Sequence, residues 1–224
     1  WAVAQGIIFG DFDNDNVFDK DFEPPSYWVA SLDYGTTNPT ACHLCAISPR
    51  RWPQIRVEDE YYFDSSKQGR SKTDSELADD IKSFISYRPI RALYVDPAAA
   101  SLKLELRNKD LPVLDANNDV LFGIKVMSKF IANKNLIVRK SCKNLIEQIQ
   151  GYAWCPKAAD RGEDKPIKIN DHACDSVRYL CASAFPSGSL GHPDEDLSYD
   201  QLRRKIYGDD SFQSFNQEIG GNVF

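Results

Sequence analysis

The fold of this chain is decided by the stretch Trp28-Val29-Ala30-Ser31-Leu32-Asp33-Tyr34-Gly35-Thr36-Thr37-Asn38-Pro39-Thr40. Its first part is apolar and β-prone, which predicts a buried strand. The strand ends in one acid, Asp33, and a turn-rich segment follows at once. An ionised carboxylate beside apolar neighbours costs free energy unless it is paired or binds a metal. Asp33 is therefore either a turn-capping residue held by backbone amides or a metal ligand.

Two later stretches place acids at comparable points. Arg91-Ala92-Leu93-Tyr94-Val95-Asp96-Pro97 is again an apolar strand that ends in an acid. Asn170-Asp171-His172-Ala173-Cys174-Asp175-Ser176-Val177-Arg178-Tyr179 puts acids at the start of an apolar helix. Two strand-end acids and a helix acid are the parts needed to hold divalent cations through carboxylate oxygens. The pattern predicts that Asp33, Asp96 and Asp175 converge in one oxygen-lined pocket.

Together the three stretches resemble the acidic motifs of the nuclease domain in tailed-phage large terminase subunits. The resemblance covers residues 1 to about 185, and its most specific part is Asn-Asp-His-x-x-Asp-x-x-Arg-Tyr at residues 170–179. It implies an α/β, ribonuclease-H-like fold, in which an antiparallel meander and then β-α-β units form a mixed sheet flanked by helices. It also implies a metal-dependent endonuclease that uses two Mg²⁺ or Mn²⁺ ions.

The resemblance also implies roles for individual residues. Asp33 would bridge the two ions, and Asp96 and Asp175 would complete the two sites. Asp171 is either the cap of the final helix or an outer metal ligand. His172 either orients a water and moves a proton near neutral pH, or satisfies the end of the helix. Glu147 lies on a helix from which an acid can approach the metal site in this family; an exposed, solvated Glu is the alternative.

Length and charge narrow the class of protein. The 224 residues suit one α/β domain with tails, and a hydrophobic fraction of 42% can build a core. The formal net charge of −6 is unusual for a stand-alone DNA binder. A metal nuclease must concentrate acids, however, and a domain of a larger motor can use basic surface on its neighbours. Lys125, Lys129 and Arg139 lie in an acid-poor region and are predicted to hold DNA phosphates without reading sequence.

Cysteine usage and hydropathy add further limits. Cys42 and Cys45 invite a zinc interpretation, but no second close pair follows at zinc spacing. If they lie on a strand, their thiols point to opposite faces, so we expect free buried thiols. Nothing resembles a transmembrane span or a signal peptide. The first residue is Trp1, and we expect an excised fragment of a longer chain.

The chain is predicted to have three parts. Residues 1–25 follow an absent ATPase domain and contain a first strand at residues 2–9 and an acidic linker at residues 11–25. Residues 26–186 form the nuclease domain, and residues 187–224 form a flexible tail with a short helix at residues 197–207. No G-x-x-x-x-G-K-[ST] segment is present, so no ATP site is visible in this chain.

Within the middle part, alternating periodicities predict strands and helices. Strands are expected at Tyr27–Asp33, Thr40–Ile47 and Ile55–Phe63, with antiparallel pairing. A capping box at residues 73–76 opens the next helix. Further helices are predicted at residues 98–109, 120–133 and 141–151, with strands at 91–96, 111–114 and 136–138. Residues 152–156 and 167–169 are predicted to form a two-stranded flap, and Asp171 starts the last helix.

The leading hypothesis is the packaging nuclease of a viral large terminase, acting in the cytoplasm of the infected host cell. It would cut concatemeric double-stranded DNA with little sequence preference. By resemblance its partners are the ATPase domain of the same polypeptide, the small terminase subunit and the portal, with no membrane. The alternatives are a catalytically silent module that binds DNA or docks on a portal, and a related ribonuclease-H-like recombination nuclease.

Overall fold

A mixed β-sheet organises the described part of the chain, which in this computed structural model comprises residues 6–35, 38–49, 51–85 and 87–186. Its strands are β1 (Val17–Phe18), β2 (Tyr27–Asp33), β3 (Thr40–Ile47), β4 (Ile55–Phe63), β5 (Ile90–Val95), β6 (Val113–Asp115) and β7 (Leu136–Arg139). The helices are α1 (Ser65–Gln68), α2 (Asp74–Ile85), α3 (Ala100–Asn108), α4 (Val120–Ala132), α5 (Lys143–Gly151), α6 (Pro156–Ala159) and α7 (His172–Ala184).

The strand order across the sheet is β1-β7-β4-β3-β2-β5-β6. Strands β2, β3 and β4 pair antiparallel through short connections. Strands β5, β6 and β7 join in parallel after helical crossovers, as parallel pairing requires. The predicted fold class, a mixed α/β sheet with an antiparallel meander followed by β-α-β units, is confirmed. The bounds of β2, β3 and β4 are those expected from the sequence.

The register of the central strands brings two of the acids to one edge of the sheet. Asp33 is the last residue of β2 and lies opposite Ala41 of β3. Strand β5 runs parallel to β2, and Leu32 pairs with Val95. Asp33 and Asp96, each the next residue along its strand, therefore lie at the same level on one edge of the sheet.

Two hydrophobic layers cover the sheet. On one face α4, α5 and α7 bury residues such as Met127, Leu145 and Leu180. On the other face α2 and α3 bury a second cluster. Cys42 belongs to one cluster and Cys45 to the other, so the two thiols point to opposite faces, as predicted. All six thiols are unpaired, and each is buried except Cys155, which is partly exposed.

Helix α7 is the central helix of its layer, and almost all of it is buried against β2, β3 and α4. Arg178 on this helix is only 2% exposed. Its side chain lies against Gly123 of α4, where an added Cβ would sit 2.6 Å from Cγ of Arg178. A glycine is therefore required at this position so that α4 can approach the buried arginine.

The strand predicted at residues 2–9 is wrong over its described part. Ile7 makes one bridge to Ala153, and the residues after it form a turn. Phe9 and Phe12 pack into the core from this turn, and Phe9 stacks on Tyr152 with ring centroids 5.6 Å apart. The apolar pattern reflects burial of these rings rather than pairing of a strand.

The acidic stretch at residues 11–25 is not simply a surface linker either. It contains a 3₁₀ helix, Asn14–Asn16, and the edge strand β1, which pairs in parallel with β7. Buried Asn16 donates hydrogen bonds to the carbonyls of Ile131 and Leu136, at 3.1 and 2.9 Å. These contacts fasten the segment to the sheet.

The predicted two-stranded flap is also wrong as a regular hairpin. Trp154 makes a single bridge to Pro166, and the short helix α6 begins at Pro156. The predicted tail at residues 187–224 and its helix at 197–207 lie outside the described residues. Among the helices of the described part, none is long and apolar enough to cross a membrane.

Candidate active site

An open cleft of about 490 Å³ lies at the sheet edge where β2 ends. Asp33 and Asp175 both line it, although one comes from a strand and the other from the first turn of α7. Asp171, His172 and Tyr179 line the same cleft, and so does Lys168 from the preceding loop. The structure therefore brings the first and third acidic stretches together.

Asp33 is held by a histidine. Nδ1 of His172 lies 2.7 Å from Oδ2 of Asp33. Burial raises the pKa of Asp33, and the negative charge of Asp175 acts in the same direction, while the His172 hydrogen bond opposes them. The hydrogen bond to Asp33 raises the pKa of His172 against the effect of its own burial. Both groups thus retain a proton to higher pH than they would in water.

Asp175 is surrounded by donors. Nε of Arg178 lies 3.0 Å from its Oδ1, and the hydroxyl of Tyr152 donates to the same oxygen at 3.2 Å. Nζ of Lys168 lies 2.7 Å from Oδ2. Burial opposes the ionisation of Asp175, but the charges of Arg178 and Lys168 outweigh it and keep its pKa below the usual value. Asp175 is therefore a fixed carboxylate.

Asp96 is connected to Asp33 through the side chain of Tyr179. The hydroxyl of Tyr179 donates to Oδ2 of Asp96 at 2.9 Å, and the same tyrosine stabilises the Asp33 carboxylate. The other oxygen of Asp96 accepts from the backbone amide of Ala98 at 2.8 Å. Asp96 is not among the residues that line the cleft, whereas Tyr179 is.

Asp171 directly precedes α7 at the N-cap position, but its side chain caps no amide. The carboxylate instead forms an ion pair with Lys168 at 3.1 Å. The open amides of α7 are satisfied by Gln148 of α5, whose Oε1 accepts from Ala173 at 2.7 Å and from Cys174 at 3.4 Å. The interpretation of Asp171 as a side-chain cap is therefore wrong. Sequence reasoning missed Gln148 because the cap comes from another helix.

The residues predicted to hold DNA lie elsewhere. Lys125, Lys129 and Arg139 are absent from the lining of the cleft. Arg139 is paired with Glu58, at 2.6 Å between Nη2 and Oε2. The structure places Lys168 in the cleft instead, a residue that the sequence pattern assigned to a flap strand.

Glu147 lines a second cleft, of about 390 Å³. The two clefts share Ile169 and Asn170 in their walls, so they adjoin each other. The structure thus places Glu147 beside the Asp33 cleft rather than inside it.

A buried polar chain behind the cleft was also not foreseen. Nδ1 of His43 lies 3.0 Å from Oγ of Ser176, and Oγ of Ser176 donates to the carbonyl of Ser31 at 2.9 Å. The other ring nitrogen of His43 lies 3.3 Å from Glu60. Ser176 directly follows Asp175, so this chain joins the acid-bearing turn of α7 to three strands. The signal in the sequence was a histidine inside a fully apolar strand, which must find partners.

No family model matches the chain. The large terminase subunit of Escherichia phage T5 is 29% identical over 125 residues, which is 54% of this chain and 28% of that protein. The solved large terminase of a thermophilic bacteriophage is 36% identical with a TM-score of 0.76, covering 81% of this chain and 45% of that one. The phage P22 large terminase nuclease domain has a TM-score of 0.62 at 18% identity, covering 79% of this chain and 91% of that domain.

The fold is therefore ribonuclease-H-like, of the class seen in nuclease domains. More particularly, the chain is similar in sequence to phage large terminase subunits and has the fold of their nuclease domains. The resemblance inferred from the three acidic stretches is confirmed. The chain spans less than half the length of the two full-length terminases that it matches.

Proposed function

We propose that this chain is the metal-dependent DNA endonuclease domain of a viral large terminase. The observation that supports it is the meeting of Asp33 and Asp175 in one open cleft, with Asp96 joined to Asp33 through Tyr179. These acids come from three stretches that are far apart in the sequence.

The donor set suits a hard divalent cation. Mg²⁺ and Mn²⁺ prefer carboxylate oxygens and tolerate water and phosphate as further ligands. Asp33 is buried next to the charge of Asp175, an arrangement that an added cation relieves. Asp33 and Asp175 would hold such ions, with Asp96 and Asp171 adjacent. Two bound ions would supply Lewis acidity and an activated water for phosphodiester hydrolysis.

The residues around the carboxylates hold the carboxylate oxygens in position. His172 contacts one oxygen of Asp33, and this hydrogen bond raises the pKa of His172. Arg178 and Tyr152 fix one oxygen of Asp175 and leave the other toward the cleft. The hydroxyl of Tyr179 donates to Asp96, and the same tyrosine stabilises the Asp33 carboxylate. This arrangement supports positioning of the acids before substrate arrives.

In the cell this domain would cut concatemeric viral DNA during genome packaging, in the cytoplasm of the infected host. The absence of a base-reading motif from the sequence favours cutting with little sequence preference. Lys125 and Lys129 would contact the phosphate backbone outside the cleft. The remaining terminase polypeptide with its ATPase domain, the small subunit and the portal would supply the partners.

The test is cleavage of supercoiled plasmid by the 224-residue chain in Mn²⁺ or Mg²⁺. We expect nicked and linear products from the parent and a loss of at least about 100-fold in Asp33→Asn. Asp79→Asn is a matched control, because Asp79 is an exposed acid on α2 that pairs with Lys109. Equal rates for the parent and Asp33→Asn would show that the site is wrong.

One observation favours the second candidate, a catalytically silent module that binds DNA or docks on a portal. Over the described residues, no group of three or more His, Cys, Asp or Glu side chains is arranged as a metal site. The acids are instead paired with His172, Lys168, Arg178 and Tyr179. Calorimetry decides: DNA binding without any heat of Mn²⁺ binding supports the silent module.

A further inference from the structure

Lys168 bridges two acids at the mouth of the Asp33 cleft. Its Nζ lies 2.7 Å from Oδ2 of Asp175 and 3.1 Å from Oδ2 of Asp171. The lysine side chain is 57% exposed, whereas each carboxylate is 7% exposed. A solvent-exposed ammonium group is thus paired with two buried carboxylates.

The oxygen that Lys168 contacts is the one left for a metal ion. Oδ1 of Asp175 is already held by Arg178 and Tyr152 from the protein interior. Oδ2 is the oxygen that pairs with Lys168, a residue that lines the cleft. A divalent cation that binds Asp175 from the cleft must therefore compete with the ammonium group for this oxygen.

The surroundings allow Lys168 to leave. It forms ion pairs with Asp171 and Asp175, and more than half of its side chain is exposed to solvent. The Asp175 carboxylate keeps another partner when Lys168 moves, because Arg178 is buried and anchored to the carbonyl of Asp119 at 3.2 Å. The long, flexible lysine stem lets the charge move by several ångströms without a backbone shift.

We propose that Lys168 is a built-in counter-cation that exchanges partners. Without a divalent ion it neutralises Asp171 and Asp175. When an ion binds Asp175, the ammonium group is released and contacts a phosphate of the DNA lying over the cleft. Lys168 is then a substrate-binding residue at the site and also sets its metal affinity. This inference rests on the proposed function, since it requires both the ion and the DNA.

The first measurement is Mn²⁺ binding to the full chain by calorimetry, with no DNA present. We expect Lys168→Gln to bind Mn²⁺ about threefold to tenfold more tightly than the parent, because two partly exposed ion pairs no longer compete. Lys165→Gln is the matched control, since Lys165 pairs with Glu163 outside the cleft lining. Unchanged or weaker Mn²⁺ binding by Lys168→Gln overturns the exchange.

The second measurement is DNA affinity at saturating Ca²⁺, a hard cation bound by the same type of oxygen ligand. We expect Lys168→Gln to weaken DNA binding about threefold to tenfold and to lower the salt slope by about one, whereas Lys168→Arg retains both. Equal DNA affinity of the parent and Lys168→Gln overturns the phosphate contact.

The two measurements separate this inference from the proposed function. If the parent binds Mn²⁺, Asp175→Asn loses that binding and Lys168→Gln equals the parent, then the metal site stands and the role of Lys168 falls. If neither the parent nor Lys168→Gln binds Mn²⁺, both proposals are overturned.

Discussion

Nδ1 of His172 lies 2.7 Å from Oδ2 of Asp33, although 139 positions separate the two residues in the sequence. The contact ties the start of α7 to the end of β2. It also joins two groups that each hold a proton more firmly than in water, since both the pKa of His172 and that of Asp33 are raised. Helix position and protonation are therefore linked at the cleft.

This link predicts a pH-dependent stability of the metal-free protein. A group whose pKa is raised in the folded state contributes stability below its unfolded pKa, about 6.5 for histidine, and loses it as pH rises through the folded pKa. The melting temperature of the parent should thus exceed that of His172→Gln by about 2 °C below about pH 6.5, and this excess should shrink as the pH rises through the raised folded-state pKa of His172.

Thermal unfolding of both proteins in EDTA from pH 5 to pH 9 measures the effect. The control is Asp33→Asn, which removes the negative charge that His172 contacts. In this variant the pH dependence due to His172 should decrease. A parent-to-variant difference that stays constant over the whole range contradicts the link.

Gly123 leads to a prediction opposite to helix propensity. Alanine in place of glycine inside a helix normally stabilises by about 1 kcal/mol. At Gly123 the new Cβ would lie 2.6 Å from Cγ of Arg178, a side chain that is 2% exposed and has little room to yield. We expect Gly123→Ala to destabilise by about 1–3 kcal/mol and to disturb the Arg178 contact to Asp175.

Urea unfolding measures the change in stability of Gly123→Ala, with Gly151→Ala as the matched control. A Cβ added at Gly151 meets nothing within 4 Å, so that variant should match or slightly exceed the parent. If Gly123→Ala is as stable as the parent, then α4 and α7 can separate without cost, and the close packing described above does not hold Arg178.

The central strands could be predicted because their signals are local. Periodicity and turn residues set the ends of β2, β3 and β4, and the parallel pairing of β2 with β5 then puts Asp33 and Asp96 at one edge. The spacing of residues 170–179 likewise predicts the face of the helix on which Asp175 lies, which is the face toward Asp33.

The predictions from the sequence are wrong where a side chain's partner comes from a distant part of the sequence. Asp171 has the right residue type for a cap, but the amide at the start of α7 donates to Gln148 of the neighbouring helix α5 instead. Lys168 sits between Ile167 and Ile169, which suggested a strand, whereas Asn170 turns the chain with a φ of 51°. Ile169 consequently remains 71% exposed, and Lys168 faces the acids.

Gln148 gives a third prediction. Its amide oxygen is the acceptor for two amides at the start of α7, so Gln148→Ala should cost about 1 kcal/mol or more. Gln148→Glu should retain most of the stability, because a carboxylate accepts the same bonds and favours a helix start. Chemical denaturation compares both with Gln150→Ala, an exposed glutamine on the same helix. Equal losses in Gln148→Ala and Gln150→Ala would contradict the capping role.

The polar chain behind the cleft gives the last prediction. Ser176→Ala leaves Nδ1 of His43 without its partner at 3.0 Å in a site with no exposure, which should cost about 1–3 kcal/mol. His43→Leu removes the ring nitrogens but leaves Glu60 with its bonds to the amides of Asn144 and Leu145. Ser176→Ala alone leaves His43 without its hydrogen-bond partner. In the double variant His43 is replaced by leucine, so no unsatisfied histidine remains. The combined loss should therefore fall short of the sum of the single losses by about 1 kcal/mol. A double-mutant cycle by urea unfolding measures this coupling, and strict additivity would show that Ser176 and His43 act independently in positioning α7.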